Sequence, residues 1–140
     1  MIYCDTSLLV AALTAEDRSA QVQVWLASQA EGELCSSPWV ISEFSSALSS
    51  KLRSGAMTVA ERARTLAKWH VLQKDHLSLV PMPETAFALA AQFCDRYESR
   101  LRAGDALHLA VASLGGHALA TLDRTMAEAA IAVGVGVIPV

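Results

Sequence analysis

The sequence predicts one α/β domain in three layers, a five-stranded parallel sheet covered by helices on both faces. Short β-prone runs alternate with helix-period segments from one end of the chain to the other, which is the pattern of parallel strands joined by helical crossovers. No linker, internal repeat or low-complexity stretch interrupts that alternation, so residues 1–140 are read as a single domain. The 140 residues are 53% hydrophobic and 18% charged, a composition that excludes disorder. A chain of this size buries about 68–70% of its unfolded surface, so it needs no disulfide or structural metal to hold a core. A bound metal would therefore serve function.

Ile2-Tyr3-Cys4 is a short β-prone run ending at Asp5, and the hydroxyls of Thr6 and Ser7 then start a helix through Leu13. A second helix is expected from Asp17 to near Glu31-Gly32, with Val22, Trp25, Leu26 and Gln29 at three-and-four spacing. Leu34-Cys35-Ser36 reads as the second strand. Ser37-Pro38 has the form of a helix start, and Ile41, Phe44, Leu48 and Leu52 make an apolar stripe that ends at Gly55. Thr58-Val59-Ala60-Glu61 spells a capping box for a helix carrying Leu66, Trp69 and Leu72 to about Lys74.

Leu77-Ser78-Leu79-Val80, stopped by Pro81 and Pro83, is the third strand, and a helix follows from Glu84 to about Tyr97. Ala106 to Leu114 is apolar nearly all round, as a helix buried on most of its surface must be, with Asp105 at its start. After Gly115-Gly116, Ala118 to Leu122 is a fourth strand ending at Asp123. Arg124 to Val133 is helical until Gly134, and Val135 to Val140 is a fifth strand.

The formal charge of −3 excludes a simple basic nucleic-acid binder working by global phosphate attraction, though not a local basic face. Three cysteines, Cys4, Cys35 and Cys94, show no CxxC spacing and sit among apolar residues, which points to a reducing, cytoplasmic setting. The apolar run Met1 to Leu13 lacks a basic start, contains Asp5 and precedes no obvious cleavage site, so it does not read as a signal peptide. No stretch approaches the ~18 apolar residues of a membrane span.

Four acids stand out from this frame. Asp5 and Asp123 each end a strand and precede a helix, and ligands of open parallel sheets bind beyond the strand carboxyl ends where strand order reverses. Each, taken alone, reads equally well as a helix N-cap. Glu43 lies about 140° around its helix from the apolar stripe and alone would be a solvated side chain. Asp105 opens an apolar helix and has no Lys or Arg between itself and Asp123 to pair with. A divalent cation would satisfy several such acids at once. An oxygen-only set without HExxH or CxxC spacing favours Mg²⁺ or Mn²⁺ over zinc, and such ions suit phosphoester cleavage.

The segments Ile2-Tyr3-Cys4-Asp5-Thr6-Ser7-Leu8-Leu9-Val10, Glu43, Ala103-Gly104-Asp105-Ala106-Leu107-His108-Leu109-Ala110 and Thr121-Leu122-Asp123 resemble PIN-domain ribonucleases, and most of all the VapC-type toxins of bacterial toxin–antitoxin pairs. The resemblance spans essentially the whole chain. It implies a sheet in the order 3-2-1-4-5, with Asp5 and Asp123 as neighbours. It also implies that Asp5, Glu43, Asp105 and Asp123 bind one or two Mg²⁺ or Mn²⁺ and cleave RNA to 5′-phosphate and 3′-hydroxyl ends. Thr6, Ser7 and Thr121 match positions where hydroxyls attend the metal or phosphate, with helix capping as the equal alternative for the first two. The implied partners are an RNA substrate, a homodimer mate and a cognate VapB-type antitoxin, joined in a hetero-oligomer away from any membrane.

Without the four acids, ten acids face eleven bases, so the negative balance belongs to the site. Lys51, Arg53, Arg62, Arg64, Lys68 and Lys74 fall on the two middle helices, and Arg96, Arg100 and Arg102 precede Asp105. They suit phosphates on either side of a cut, or ordinary solvated helix faces. His108, Trp39 and Trp69 read as packing residues. A phosphatase using Asp5 is disfavoured because Ser7 breaks the DxD spacing. A non-catalytic PIN-like scaffold that binds RNA or a partner is the alternative of a different class.

Overall fold

The computed structural model describes Met1–Val140. Four strands, β1 (Ile2–Cys4), β2 (Leu34–Ser36), β3 (Ser78–Leu79) and β4 (Ala118–Ala120), form one sheet in the order β3-β2-β1-β4, every pair parallel. Seven helices connect them: α1 (Thr6–Leu13), α2 (Ser19–Ala27), α3 (Trp39–Arg53), α4 (Val59–Asp75), α5 (Glu84–Asp95), α6 (Ala103–Leu114) and α7 (Arg124–Ala132).

Alternation along the strands sends successive side chains to opposite faces of the sheet. Tyr3, Cys35 and Leu119 join the core beneath α5, α6 and α7, whereas Cys4, Leu34 and Ala120 join the core beneath α1, α3 and α4. Two apolar layers of similar size thus sandwich the sheet. In the second of them Phe44 of α3 stacks on Trp69 of α4 with ring centroids 4.4 Å apart, so Trp69 is a packing residue as its spacing suggests. All three cysteines are free thiols, and Cys4 and Cys35 are buried.

The predicted fold class and strand order hold, with one correction. The fifth strand is reduced to an isolated parallel bridge between Leu119 and Val137, made by Leu119 N donating to Gly136 O and Ile138 N donating to Leu119 O, both at 2.8 Å. Gly134 and Gly136 leave two positions of the segment without side chains, and Pro139 has no N–H to extend a ladder, so pairing stops after one residue although Val135, Val137 and Ile138 still pack on the cores.

Smaller differences have equally local causes. α2 starts at Ser19 and ends at Ala27, where Ser28 Oγ donates back to Trp25 O and closes the last turn. α5 ends at Asp95, and a 3₁₀ turn at Tyr97–Ser99 completes the stretch. In α3 the buried row is Val40, Phe44 and Leu48, while Ile41 is exposed, because contacts with α1 and α4 select the i, i+4, i+8 ridge. α6 begins three residues earlier than expected, which places Asp105 within its first turn instead of ahead of it. The Thr58–Glu61 capping box forms in full.

The chain leaves β1 toward β2 and β3 on one side and returns to β4 on the other. The switch point therefore lies between β1 and β4, with both strands ending at the same edge.

Candidate functional site

Asp5 and Asp123 stand at that edge, one residue beyond β1 and three beyond β4. Both are helix N-caps: Leu8 N donates to Asp5 Oδ1 at 3.1 Å and Met126 N donates to Asp123 Oδ1 at 2.9 Å. Both also line a cleft of about 370 Å³ together with Glu43 and Asp105, so capping and site-forming are one arrangement here.

Two hydroxyls stitch the strand ends together. Ser7 Oγ donates to the Asp5 carboxylate (2.9 and 2.8 Å) and accepts from Leu122 N at 3.1 Å. Thr121 Oγ1 donates to Asp5 Oδ2 at 2.8 Å and accepts from Asp123 N at 2.9 Å. Asp5 is buried, and burial pushes its carboxyl above the ordinary range against the pull of His108's charge, the Leu8 amide, Thr121 and Ser7. Ser7 and Thr121 are thus positioners of Asp5.

Glu43 is held from the opposite side. Thr6 Oγ1 donates to Glu43 Oε2 at 2.5 Å, and His108 Nε2 donates to the same oxygen at 2.6 Å. The other ring nitrogen of His108 is bonded to Tyr3 Oη at 2.8 Å, and Tyr3 in turn reaches Ser37 Oγ at 2.8 Å. This buried chain runs from the core beneath α6 to the cleft. Burial works upward on Glu43 and is the largest single influence, but the bonds from His108 and Thr6, the charge of His108 and nearby Trp39 outweigh it and hold the carboxyl low.

Asp105 has no such anchor. It is half-buried, and its carboxyl is raised first by desolvation and then by the charges of Asp123 and Glu43, against the Arg102 amide and His108. Close packing enforces the acids' proximity, since a Cβ at Gly104 would collide with Glu43 Oε1 and lie 3.3 Å from Trp39 Nε1.

The donor set fits a hard divalent cation. Four carboxylates share one cleft, all donors are oxygen, and desolvation followed by like-charge repulsion raises Asp105, a strain that such an ion relieves. No three acids are drawn into a ready-made cage, because Glu43 is turned to His108 and Asp5 to its hydroxyls.

From the sequence, His108 and Trp39 read as packing residues. Both are packed, yet His108 orients Glu43, and Trp39 sets an enclosed Nε1 against the Glu43 carboxylate, short of a well-aligned hydrogen bond. The signal lies in the DALHLA segment: three residues on from Asp105, His108 falls on the same helix face. Arg53 lines the cleft beside the acids, and Arg100 and Arg102 line a neighbouring cavity. Arg62, Arg64 and Lys68 are not among the residues lining either.

A parallel α/β sheet with an acid cleft at its switch point defines a class of carboxylate-site α/β domains. Within that class the profile of the PIN domain matches residues 2–132, and the chain belongs to the PIN domain family. Solved structures share the fold at low identity. VapC20 of Mycobacterium tuberculosis, a toxin that cleaves the sarcin–ricin loop, is 17% identical with a TM-score of 0.74 over 100% of both chains. FitAcB from Neisseria gonorrhoeae is 21% identical with a TM-score of 0.68 over 99% of this chain and 97% of the other. PAE2754 from Pyrobaculum aerophilum is 22% identical with a TM-score of 0.63 over 91% and 84%. No curated protein sequence matches.

Proposed function

We propose that this PIN domain is an endoribonuclease toxin that hydrolyses RNA phosphodiesters with Mg²⁺ or Mn²⁺ and is neutralised by a cognate VapB-type antitoxin. The observation that carries the reading is the convergence of Asp5, Glu43, Asp105 and Asp123 on one cleft at the switch point of a PIN fold. The toxin role is supported by the shared fold with VapC20.

Asp5, Glu43, Asp105 and Asp123 would hold the ion, with Asp5 and Asp105 as its principal ligands. Once bound, a divalent ion neutralises phosphate charge and makes water nucleophilic at neutral pH. The chain's own residues prepare that site. Ser7 and Thr121 fix the Asp5 carboxylate, and Thr6 and His108 fix Glu43. Asp105 and Asp123 repel each other, and their charge repels RNA phosphate as well until it is compensated. The buried Tyr3–His108 chain keeps Glu43 from swinging into solvent, so its entropy is lost before substrate arrives.

An apolar groove of about 450 Å³, lined by Leu13, Ala67, Val71 and Leu72, supports an antitoxin peptide as partner. A peptide cation in the acid cleft would make antitoxin and Mg²⁺ compete. The reading includes a homodimer and a cytoplasmic location. No helix is long and apolar enough to cross a membrane.

The test is cleavage of end-labelled RNA by the purified chain with Mg²⁺, with Mn²⁺ and with EDTA. Discrete products that need the ion and carry 5′-phosphates are expected. The engagement of both Asp5 oxygens within the chain favours the alternative of a non-catalytic scaffold. RNA bound but uncut at any concentration of either ion would establish it.

A further inference from the structure

A carboxylate can meet a cation with one oxygen or with both, and the difference separates ions. Ca²⁺ collects about six to eight oxygens and often takes both from one carboxylate, whereas Mg²⁺ demands octahedral corners and keeps water on several of them. Mn²⁺ shares the octahedral preference.

In this cleft the hydrogen bonds leave few carboxylates with two free oxygens. Glu43 Oε2 accepts from Thr6 Oγ1 at 2.5 Å and from His108 Nε2 at 2.6 Å, which fills its lone pairs. Glu43 Oε1 has no such pair of donors and lies beside Gly104, in the space a Cβ would need. Asp123 Oδ1 is held by the Met126 amide, and both oxygens of Asp5 are taken up by Leu8, Ser7 and Thr121.

The hold on Glu43 is the one that depends on residues outside the cleft. His108 Nδ1 is bonded to Tyr3 Oη at 2.8 Å, Tyr3 Oη donates to Ser37 Oγ at 2.8 Å, and all three residues are buried. Neither Tyr3 nor Ser37 lines the cleft. The Tyr3 and His108 rings meet edge-on with centroids 5.6 Å apart. The two flips of an imidazole have nearly the same shape, so packing does not choose between them, and the hydrogen bonds must. Without the Tyr3 hydroxyl, Nδ1 is a buried polar atom with no partner, a cost the ring can reduce only by turning or shifting away from Glu43.

We infer that Tyr3 and Ser37 are positioning residues for the ion: acting through His108, they keep Oε2 of Glu43 bonded to the protein, so that Glu43 offers a cation one oxygen and the cleft discriminates against Ca²⁺. The inference rests on the ion-dependent reading above and adds which ion the site refuses and which buried residues make it do so.

Isothermal titration of the whole chain with MnCl₂ and, separately, with CaCl₂ gives the ratio of the two dissociation constants. That ratio is the readout, because a loss of packing alone moves both ions together. Tyr3→Phe keeps the buried ring and removes only the hydroxyl. It should weaken Mn²⁺ about tenfold, the low end for losing a group that orients a ligand, while Ca²⁺ binds as well as before or better. The preference for Mn²⁺ thus shrinks about tenfold or more. Ser37→Ala removes the outer end of the chain and should shrink the preference by less. Val111→Ala thins the same core beneath α6 without touching a hydrogen bond and should leave the ratio where it is.

Equal weakening of both ions by Tyr3→Phe, or no change in either, would overturn the inference, as would an equal fall in preference in Val111→Ala. Should Tyr3→Phe not fold, Ser37→Ala decides alone, and an unmoved ratio there is the contrary result. Ion binding by the parent with an unmoved ratio in the variants sinks the inference and leaves the ion site standing. A parent that binds neither ion sinks the ion-dependent reading, and the inference with it.

Discussion

On the strand side of the cleft, at the ends of β1 and β4, polar contacts are made within a few residues or between two adjacent strands. Asp5 caps its own helix, Asp123 caps its own, and Ser7 and Thr121 tie the two together. On the helix side nothing is local. Glu43 is held by Thr6 from 37 residues away and by His108 from 65, while Asp105 is left against Asp123 and Glu43 with its carboxyl raised. The strand side uses its hydrogen bonds to hold its acid still. The helix side stores repulsion, which makes it the half where a cation has most to gain and where function and stability pull in opposite directions.

Asp105→Asn should break this contrast most sharply. Cleavage should fall by about 10²-fold or more, the scale of losing one group that stabilises transition-state charge. The same substitution should raise the Tm of the metal-free protein at pH 7. Asp105 has a raised folded value, so its contribution to stability is present below the ordinary value of 3.8 and is lost as pH rises through the raised value. Asparagine removes that loss, and the Tm difference should vanish in acid. Asp5→Asn should inactivate without the gain in Tm, because its amide would face the hydroxyls of Ser7 and Thr121, which already donate there. Differential scanning calorimetry in EDTA across pH distinguishes the two.

Thr121→Val removes the bridge between Asp5 and Asp123 and should weaken Mg²⁺ or Mn²⁺ binding about 10- to 100-fold, the usual effect of losing a group that orients a ligand. Isothermal titration with Mn²⁺ measures it. His108→Ala leaves Glu43 with Thr6 alone and should lower kcat/KM about tenfold. It should also cost roughly 1–3 kcal/mol in urea unfolding, because Tyr3 Oη loses a buried partner. The smallest effect belongs to a region outside the contrast. Thr58→Ala opens the capping box of α4 and should cost about 1 kcal/mol while leaving cleavage per folded molecule unchanged. Glu61 in that box is held below its ordinary value of 4.5 by Thr58. Its contribution is present above 4.5 and is lost as pH falls through the lowered value, so parent and variant converge in acid unfolding.

The same division explains what was legible in the sequence. Asp5, Asp123 and the Thr58 box announce themselves because strand end, cap and helix are contiguous, and a cap's partner lies two or three residues away. The strand order and both core faces follow from alternation and helix period. The fifth strand misleads because Val135 to Val140 is apolar, while pairing depends on Gly136 and Pro139. Glu43 looks solvated from its own helix, and only α6 arriving with His108 changes that. Arg100 and Arg102 are legible as bases ahead of Asp105, but which of the chain's bases come to line the acid site depends on contacts between elements distant in the chain.

The most direct test of the central claim is inducible expression of this chain in bacteria beside Asp105→Asn, with growth followed and new 5′-phosphate RNA ends mapped across the transcriptome. The account predicts growth arrest with a few discrete cuts for the parent chain and neither for the variant. Equal arrest and equal cutting by Asp105→Asn would contradict it, because the cleft would then not be where the chemistry is done.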